Sequence, residues 1–422
     1  PLIHEFGWTA RDLDLLAAGS LAGHVLECGA QATGGIHTDW RDVQGWEDIG
    51  YPVAECRADG GFVLTKPEGT GGRVTRATVA EQILYEIGDP AAYVLPDVVV
   101  DLTGVRVRAD GPDRVEVTGA RGLPPTPSYK VSATWQDGWR ATALVTIVGP
   151  DAAEKAERTA EAILGRTRTV LGAAGLDPVR ATHREVLGAE ASYGPRSRAR
   201  ATREVILRLS VEHDRREALD LFAREIAAAA TSWAPGTTGF LGGRPRPQPI
   251  VRLFSMLVDK ARLPPPTITI AGADPIPVAL PAASDRPSEA ASVVAPPPGP
   301  GPEGADEVEV PLVRLAWARS GDKGDWANIG VIARQPAHLD ALRRALSPEI
   351  VAGWFAHLVA GPVDRYEVPG LGAFNFVLQG ALGGGGIASL RNDPQAKGFG
   401  QMLADYPVPV PPELAAGSFA PR

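Results

Sequence analysis

Four short stretches of the 422-residue chain gather side chains able to do chemistry, each beside glycines. Glycine lets a backbone turn sharply and bring its N–H groups close to a ligand. In the first stretch, Glu27-Cys28-Gly29-Ala30-Gln31-Ala32-Thr33-Gly34-Gly35, a carboxylate stands next to a thiol, with Gln31 and Thr33 as neutral polar groups. With His24 and His37 nearby in the chain, such a pair could furnish a general base or a nucleophile. The plainer alternative makes Cys28 a small core residue and Glu27 a cap or surface charge. In the second, Lys66-Pro67-Glu68-Gly69-Thr70-Gly71-Gly72 sets a cation and a carboxylate beside glycines that could offer N–H donors to an anion. It is not the phosphate loop GxxxxGK[ST], because Lys66 precedes the glycines. An ordinary loop between strand and helix is the alternative.

The third stretch, Arg319-Ser320-Gly321-Asp322-Lys323-Gly324-Asp325, packs two carboxylates around a lysine, with Asn328 just beyond. A lysine so held keeps its charge and position, which suits recognition of an anionic group or orientation of an acid/base pair. Asp and Gly are also what a solvated turn favours. The fourth, Gly383-Gly384-Gly385-Gly386, loses much chain entropy on ordering, so a close approach of main chain or a moving loop is expected there. Asn375, Gln379 and Arg391 flank it.

The catalytic groups expected are therefore Glu27 or Asp322 as general base, with Lys323 and Asp325 beside them. The expected substrate contacts are Cys28, Gln31, Thr33, Gly34 and Gly35; Lys66, Glu68, Gly69, Thr70 and Gly71; Ser320 and Asn328; and Gly383, Gly384, Gly385 and Gly386. No metal is expected. The only cysteines, Cys28 and Cys56, lack paired Cys-x-x-Cys spacing, and His4, His183, His213, His338 and His357 lack ligand spacing.

These residues need elements to position them. Thr78-Val79-Ala80-Glu81 reads as a capping box that opens a helix stopped by Gly88. Val98–Val100 reads as a buried strand. Val105 and Val107 alternate with polar residues, as do Val115 and Val117, predicting a hairpin across Asp110-Gly111-Pro112-Asp113. From about 128 to 260 the order is βαββαβ, with strands at Ala141–Val148, Arg184–Gly188, Val205–Val211 and Ile250–Leu257. Helices Ala152–Leu164 and Arg215–Ala230 lie between them, the latter with an apolar stripe of Leu219, Phe222, Ala223 and Ile226. This is a split-βαβ, two-layer arrangement. Pro264 to Pro302 carries 12 prolines in 39 residues and reads as a linker, with Thr267–Ile270 strand-like. Beyond it, strands at Leu312–Ala316 and Ile329–Ala333 flank a polar loop. Helices near Leu339–Leu346 and Ile350–Leu358, strands near Tyr366–Val368 and Ala373–Leu378, and a helix near Gln395–Leu403 follow. The fold class expected is α/β and α+β: an N-terminal α/β region, residues 1–262, a proline-rich linker, 263–308, and a small C-terminal α+β domain, 309–422.

Composition narrows the function. Hydrophobic residues at 44% and charged residues at 22% are globular values. A net charge of −8, with no run of Lys or Arg, argues against nucleic acid as partner. Trp8, Trp40 and Trp46 are then core or interface residues rather than a stacking platform. No stretch reaches the length of a membrane span, no signal pattern opens the chain, and the sparse cysteines fit a reducing compartment, so a cytoplasmic protein is expected.

The four stretches, the second preceded by Thr65 and the fourth by Ala381-Leu382, occur in order on both sides of the linker, and in this the chain resembles the acyclic terpene utilisation (AtuA-like) family. The resemblance implies work on acyclic isoprenoid acids handled as acyl-coenzyme A thioesters. With that substrate class, the function expected is an enzyme, of lyase or hydratase type, acting on a branched or isoprenoid acyl-coenzyme A or related carboxylate by acid/base hydration, dehydration or carbon–carbon cleavage; residue spacing alone supports only a glycine-rich site that accommodates an anion. No redox cofactor is expected, and coenzyme A could enter as part of the substrate. The open alternative is a non-catalytic binding or assembly subunit for acyl-coenzyme A-processing enzymes, and the linker suits a homo-oligomer with exchanged C-terminal domains. The family pattern also includes an α/β segment with a glycine-rich turn ahead of the point where this sequence starts, so a chain beginning on Pro1 is expected to be a fragment.

Overall fold

A computed structural model describes residues 1–278, residue 283 and residues 307–417. Its chain divides into two units: Pro1–Val131 with Ser255–Ala381 and the stretch from Ala396, and Ser132–Phe254 with Leu382–Gln395.

In the first unit, helix α1 (Leu13–Leu26) turns Leu16, Ala17, Leu21 and Val25 inward at the three-to-four spacing of one helix face. Strands β1 (Val53–Cys56) and β2 (Phe62–Thr65) precede helix α2 (Arg76–Ile83), and β3 (Tyr93–Val94), β4 (Val99–Asp101), β5 (Arg106–Ala109), β6 (Val115–Thr118) and β7 (Arg121–Leu123) follow. They form a sheet β1-β2-β6-β5 and a second, β3-β4-β7. The predicted hairpin is β5–β6, with Val107 opposite Val117 and both buried. Helix α2 starts earlier than predicted: Thr75 is the N-cap and Thr78 closes the capping box from the third helical position. Glu81 thus lies inside the helix, fully buried. The helix also ends before Gly88, because the chain reverses at Glu86, whose φ is 59°.

The second unit holds β8 (Ser128–Val148) from Ser132 on, helix α3 (Ala152–Ala173), β9 (Ala181–Leu187), β10 (Glu204–His213), helix α4 (Arg216–Glu225), β11 (Thr237–Phe240) and β12 (Gln248–Asp259) as far as Phe254. The sheet runs β11-β8-β10-β9, with β12 also on β8, which is the split-βαβ layer the element order predicts. Ala156, Ala160 and Ile163 of α3 and Leu219 and Phe222 of α4 pack with Val145, Ile147, Leu207 and Leu209 of the sheet. The second helix is shorter than predicted. It gives way at Ile226 to a 3-10 turn.

Of the expected linker, residues 279–306 apart from 283 lie outside the described residues; ahead of them Thr267–Ile268 pairs with Ile276–Pro277. The first unit resumes with β13 (Val308–Pro311), β14 (Ala316–Lys323), β15 (Trp326–Ala333), helices α5 (Leu339–Ala345) and α6 (Pro348–Trp354), β16 (Val363–Val368), β17 (Ala373–Leu378), helix α7 (Phe399–Ala404) and β18 (Pro407–Val410). The antiparallel sheet is β14-β15-β17-β16. Two expectations fail here. Leu312–Arg314 is a 3-10 turn, not strand. The polar run from Arg319 is strand β14, and only Gly324 and Asp325 turn the chain. A polar run can be strand because its buried groups find partners: Arg319 binds Glu81 and Ser320 binds the Ala396 carbonyl. Ile332, Val368, Leu371 and Ala373 share one core with Leu16, Phe62, Leu64, Val79 and Ile83. Residues on both sides of the proline-rich stretch thus bury one another, and each large side chain contributes roughly 1.5–3 kcal/mol. Among the described residues no helix is long and apolar enough to cross a membrane.

Candidate functional site

The end of α2, the tip of the β14–β15 hairpin and the loop before α7 meet in the first unit around Glu86. The Lys323 ammonium donates to Glu86 Oε2 at 2.8 Å. Lys397 Nζ lies 3.5 Å from Glu86 Oε1 and 3.7 Å from Asp322 Oδ1. It also donates to the Tyr85 hydroxyl and sits 4.6 Å from that ring's centre. Two glycines let the strands come this close. A Cβ on Gly321 would fall 2.6 Å from Tyr85 Cε2 and 2.7 Å from Glu86 Cγ, and one on Gly330 would fall 2.7 Å from Leu84 Cβ.

The two carboxyls are driven apart. Burial opposes the Glu86 charge, yet the hydrogen bonds from Lys323 and Tyr85 and the two ammonium fields hold its carboxyl below the usual range. Burial, then the Glu86 charge, pushes the Asp322 carboxyl up, and the lysines only partly offset this. Asp322 Oδ1 is buried without a hydrogen-bond partner. Burial opposes the Lys323 charge as well, but Glu86 more than offsets it. The result is one carboxylate fixed in its ionised form beside one that keeps its proton longer, the division of labour that acid/base chemistry uses.

The first stretch supplies the neighbours. Glu27 follows α1, its carboxylate 3.5 Å from His24 Nδ1 and half exposed. His24, by hydrogen bond and charge, and then Lys323 draw its carboxyl below the usual range. Cys28 is held up by burial and next by the Glu27 charge, so its thiol is a poor nucleophile. The rest of the stretch is committed to packing. Gln31 Oε1 accepts from Arg319. Thr33 Oγ1 donates to the Gly50 carbonyl at 2.7 Å. Gly34 has φ 108° with Val43 at its back, and Gly35 donates to the Ala30 carbonyl.

The second stretch folds onto its own neighbours. Lys66 donates to the Thr70 carbonyl at 2.7 Å and pairs with Asp113 at 3.5 Å. Thr70 Oγ1 donates to the Pro67 carbonyl, and a Cβ on Gly71 would collide with the Gly45 carbonyl at 2.1 Å. Glu68 and Gly69 are exposed. In the third stretch Ser320 Oγ donates to the Ala396 carbonyl at 2.6 Å and accepts from the Gly400 amide at 2.8 Å. Asn328 binds the α2 end rather than facing solvent. Asp325 occupies the turn, its carbonyl accepting from Ala381. Gly383–Gly386 belong to the second unit; Gly383, Gly384 and Gly385 have φ of 66°, 99° and 95°. A Cβ on Gly384 would fall 3.2 Å from Arg252.

Of the expected catalytic groups, Asp322 and Lys323 thus meet, and Glu27 lies close enough for its charge to act on Lys323. Tyr85, Glu86 and Lys397 are not among the sequence expectations. The sequence pattern puts Glu86 inside a helix, and no local signal marks its left-handed backbone. A buried network beneath the cluster is also new. Glu81 accepts from Arg319 Nη2 at 2.7 Å and from the Thr38 amide, and His37 Nδ1 lies 2.9 Å from its Oε2. Among the described residues no group of three or more His, Cys, Asp and Glu is placed to hold a metal. A cavity of about 510 Å³ in the second unit, bordered by Glu154, Glu157, Arg184 and Arg200, includes none of the expected site residues.

Residues 1–268 match the family described as acyclic terpene utilisation family protein AtuA, and residues 310–409 match the AtuA ferredoxin-like domain. No curated protein and no solved structure matches the chain.

Proposed function

We propose that this chain, which belongs to the acyclic terpene utilisation family AtuA, is an enzyme acting on a branched or isoprenoid acyl-coenzyme A or a related carboxylate. Family membership supports a place in acyclic terpene utilisation. The reaction class is acid/base: hydration, dehydration or carbon–carbon cleavage. One observation carries this reading. Asp322, its carboxyl raised by burial and then by Glu86, stands near the two ammonium groups that pair with Glu86, Lys397 being 3.7 Å from it. Asp322 takes a proton from a water or from the carbon next to the thioester carbonyl and returns it later in the cycle. Lys323, half exposed, holds an anionic group of the substrate or offsets charge developing on its carbonyl oxygen. Glu86 stays ionised and fixes the lysines.

A second reading, a non-catalytic binding subunit, draws on one feature. Trp40 and Trp46 stand 5.8 Å apart edge to face, and both are exposed, an arrangement found in protein-binding surfaces.

Thermal-shift measurements with acyl-coenzyme A esters and free branched acids test the first reading. The expected result is a raised melting temperature for wild type, a smaller rise for Lys323→Ala, and binding without turnover for Asp322→Asn. Wild type that no acyl ester stabilises, with Trp40→Ala or Trp46→Ala abolishing capture of a protein partner, favours the second.

A further inference from the structure

We infer that Asn328 and Asn375 are positioning residues, which hold the turn from Leu84 to Gly88 so that the Glu86 carboxylate faces both Lys323 and Lys397. The purpose of this device rests on the acid/base reading above; its test does not. A φ of 59° at Glu86 disfavours any residue with a Cβ, and such a conformation persists only where the surroundings over-determine it. Here they do. Asn328 Oδ1 accepts from the Glu86 amide at 2.9 Å, and its Nδ2 donates to the Leu84 carbonyl at 2.7 Å and to Asn375 Oδ1 at 2.9 Å. Asn375 Nδ2 donates to the carbonyls of Ile87 at 2.9 Å and Gly88 at 2.6 Å. Both amides are buried, and together they bond four consecutive or near-consecutive backbone groups around Glu86.

Two buried amides within apolar strands are costly unless every polar atom is bonded. These are. Each Nδ2 uses both of its hydrogens, and each Oδ1 has a donor, so neither Asp nor Leu could replace either residue without orphaning a backbone group.

The consequence falls on charge. The groups facing Glu86 are Tyr85 from its own turn, Asp322 and Lys323 from β14, Lys397 from the loop before α7, Cys28 after α1 and Tyr93 in β3. Held where it is, Glu86 occupies the ammonium groups. Swung away, it would leave Lys397 with the Tyr85 hydroxyl and with Asp322, 3.7 Å off, and would remove the like charge that adds to burial in raising the Asp322 carboxyl, so Asp322 would ionise at lower pH.

Carboxyl-carbon NMR titration of the full chain, labelled at Asp and Glu, tests this without any substrate. Signals are assigned from Glu86→Gln and Asp322→Asn. In Asn375→Ala the Glu86 titration should move up and the Asp322 titration down, each by about one pH unit. Asn375→Ser, able to keep one carbonyl contact, should move both by less. Wild-type titrations in folded Asn375→Ala overturn the inference; if that variant does not fold, wild-type titrations in Asn375→Ser do so. A lower melting temperature with unmoved titrations marks a mere brace and equally overturns it. Moved titrations in a protein that no acyl ester stabilises would leave the clamp standing and remove the proposed substrate.

Discussion

Lys323 and Glu86 meet at 2.8 Å although 237 residues separate them. This contact ties the hairpin carrying Asp322 to the end of helix α2, and it makes the proton affinity of Asp322 a property of two distant segments. Asp322 feels Glu86 as a like charge and Lys397 and Lys323 as opposite ones. Changing any of them shifts the others in a direction that can be worked out.

Replacing Asp322 itself gives the first outcome. Its carboxyl is raised by burial and then by Glu86, so the folded protein binds that proton more tightly than the unfolded chain does. Stability is therefore greatest while Asp322 is protonated, falls as the pH rises from the ordinary aspartate range through the raised value, and stays lower above it. An amide in its place carries no charge at any pH. Asp322→Asn should melt higher than wild type at pH 8, by about 2 °C, with little difference at pH 4, and should show no turnover. Calorimetry at the two pH values reads this. A lower melting temperature at pH 8 would mean that the ionised carboxylate stabilises the fold.

Removing the ammonium at position 397 acts the other way on the same group. Lys397 lies 3.7 Å from Asp322 and favours its ionised form. Lys397→Gln should raise the pH at which Asp322 ionises, so the acidic limb of the profile of kcat/KM against pH moves to higher pH, because the base must lose its proton before it can act. An unmoved limb would assign that limb to another group.

Much of the scaffold was legible in the residues, and the site only half so. The βαββαβ order and the β5–β6 hairpin follow from periodicities that local burial enforces. Arg319 to Lys323 misled because a polar run reads as loop unless its partners are known, and those partners, Glu81 and Ala396, are distant in sequence. The glycines of the second stretch read as ligand contacts from sequence; in the fold Gly71 stands against Gly45, and Lys66 bonds the Thr70 carbonyl and pairs with Asp113. Glu86 carries no local mark, since its left-handed backbone is imposed by Asn328 and Asn375. Those amides did leave a trace: each is a lone polar residue in a strand otherwise apolar, Asn328 beside Ala327 and Ile329, Asn375 between Phe374 and Phe376.

The ion network under the cluster has its own pH signature. Glu81 is fully buried, and although burial opposes its charge, the Arg319 field and the His37 and Thr38 contacts hold its carboxyl below the usual range. A lowered carboxyl contributes stability that is present above the ordinary glutamate range and is lost as the pH falls through the lowered value. Glu81→Gln leaves Arg319 buried without its counter-charge and should cost about 3 kcal/mol or more at pH 7. The gap from wild type should narrow on acidification. Urea unfolding at pH 7 and pH 3.5 measures both, and a gap constant with pH would show that Glu81 is not ionised in the folded protein.

Close approach of the β14–β15 hairpin to helix α2 predicts a contrast between two glycines. At Gly330 an added methyl would stand 2.7 Å from Leu84 Cβ, in the wall that supports Glu86. Gly165, in the middle of α3, has nothing within 4 Å of the same position. Gly330→Ala must push α2 and the hairpin apart, which should cost about 1–3 kcal/mol and weaken the Lys323–Glu86 contact. Gly165→Ala removes only unfolded-chain freedom from a helix interior and should gain about 0.5–1 kcal/mol. Denaturant unfolding of the two single variants separates packing from propensity: equal effects of one sign at both sites would contradict the tight fit from which the cluster geometry arises.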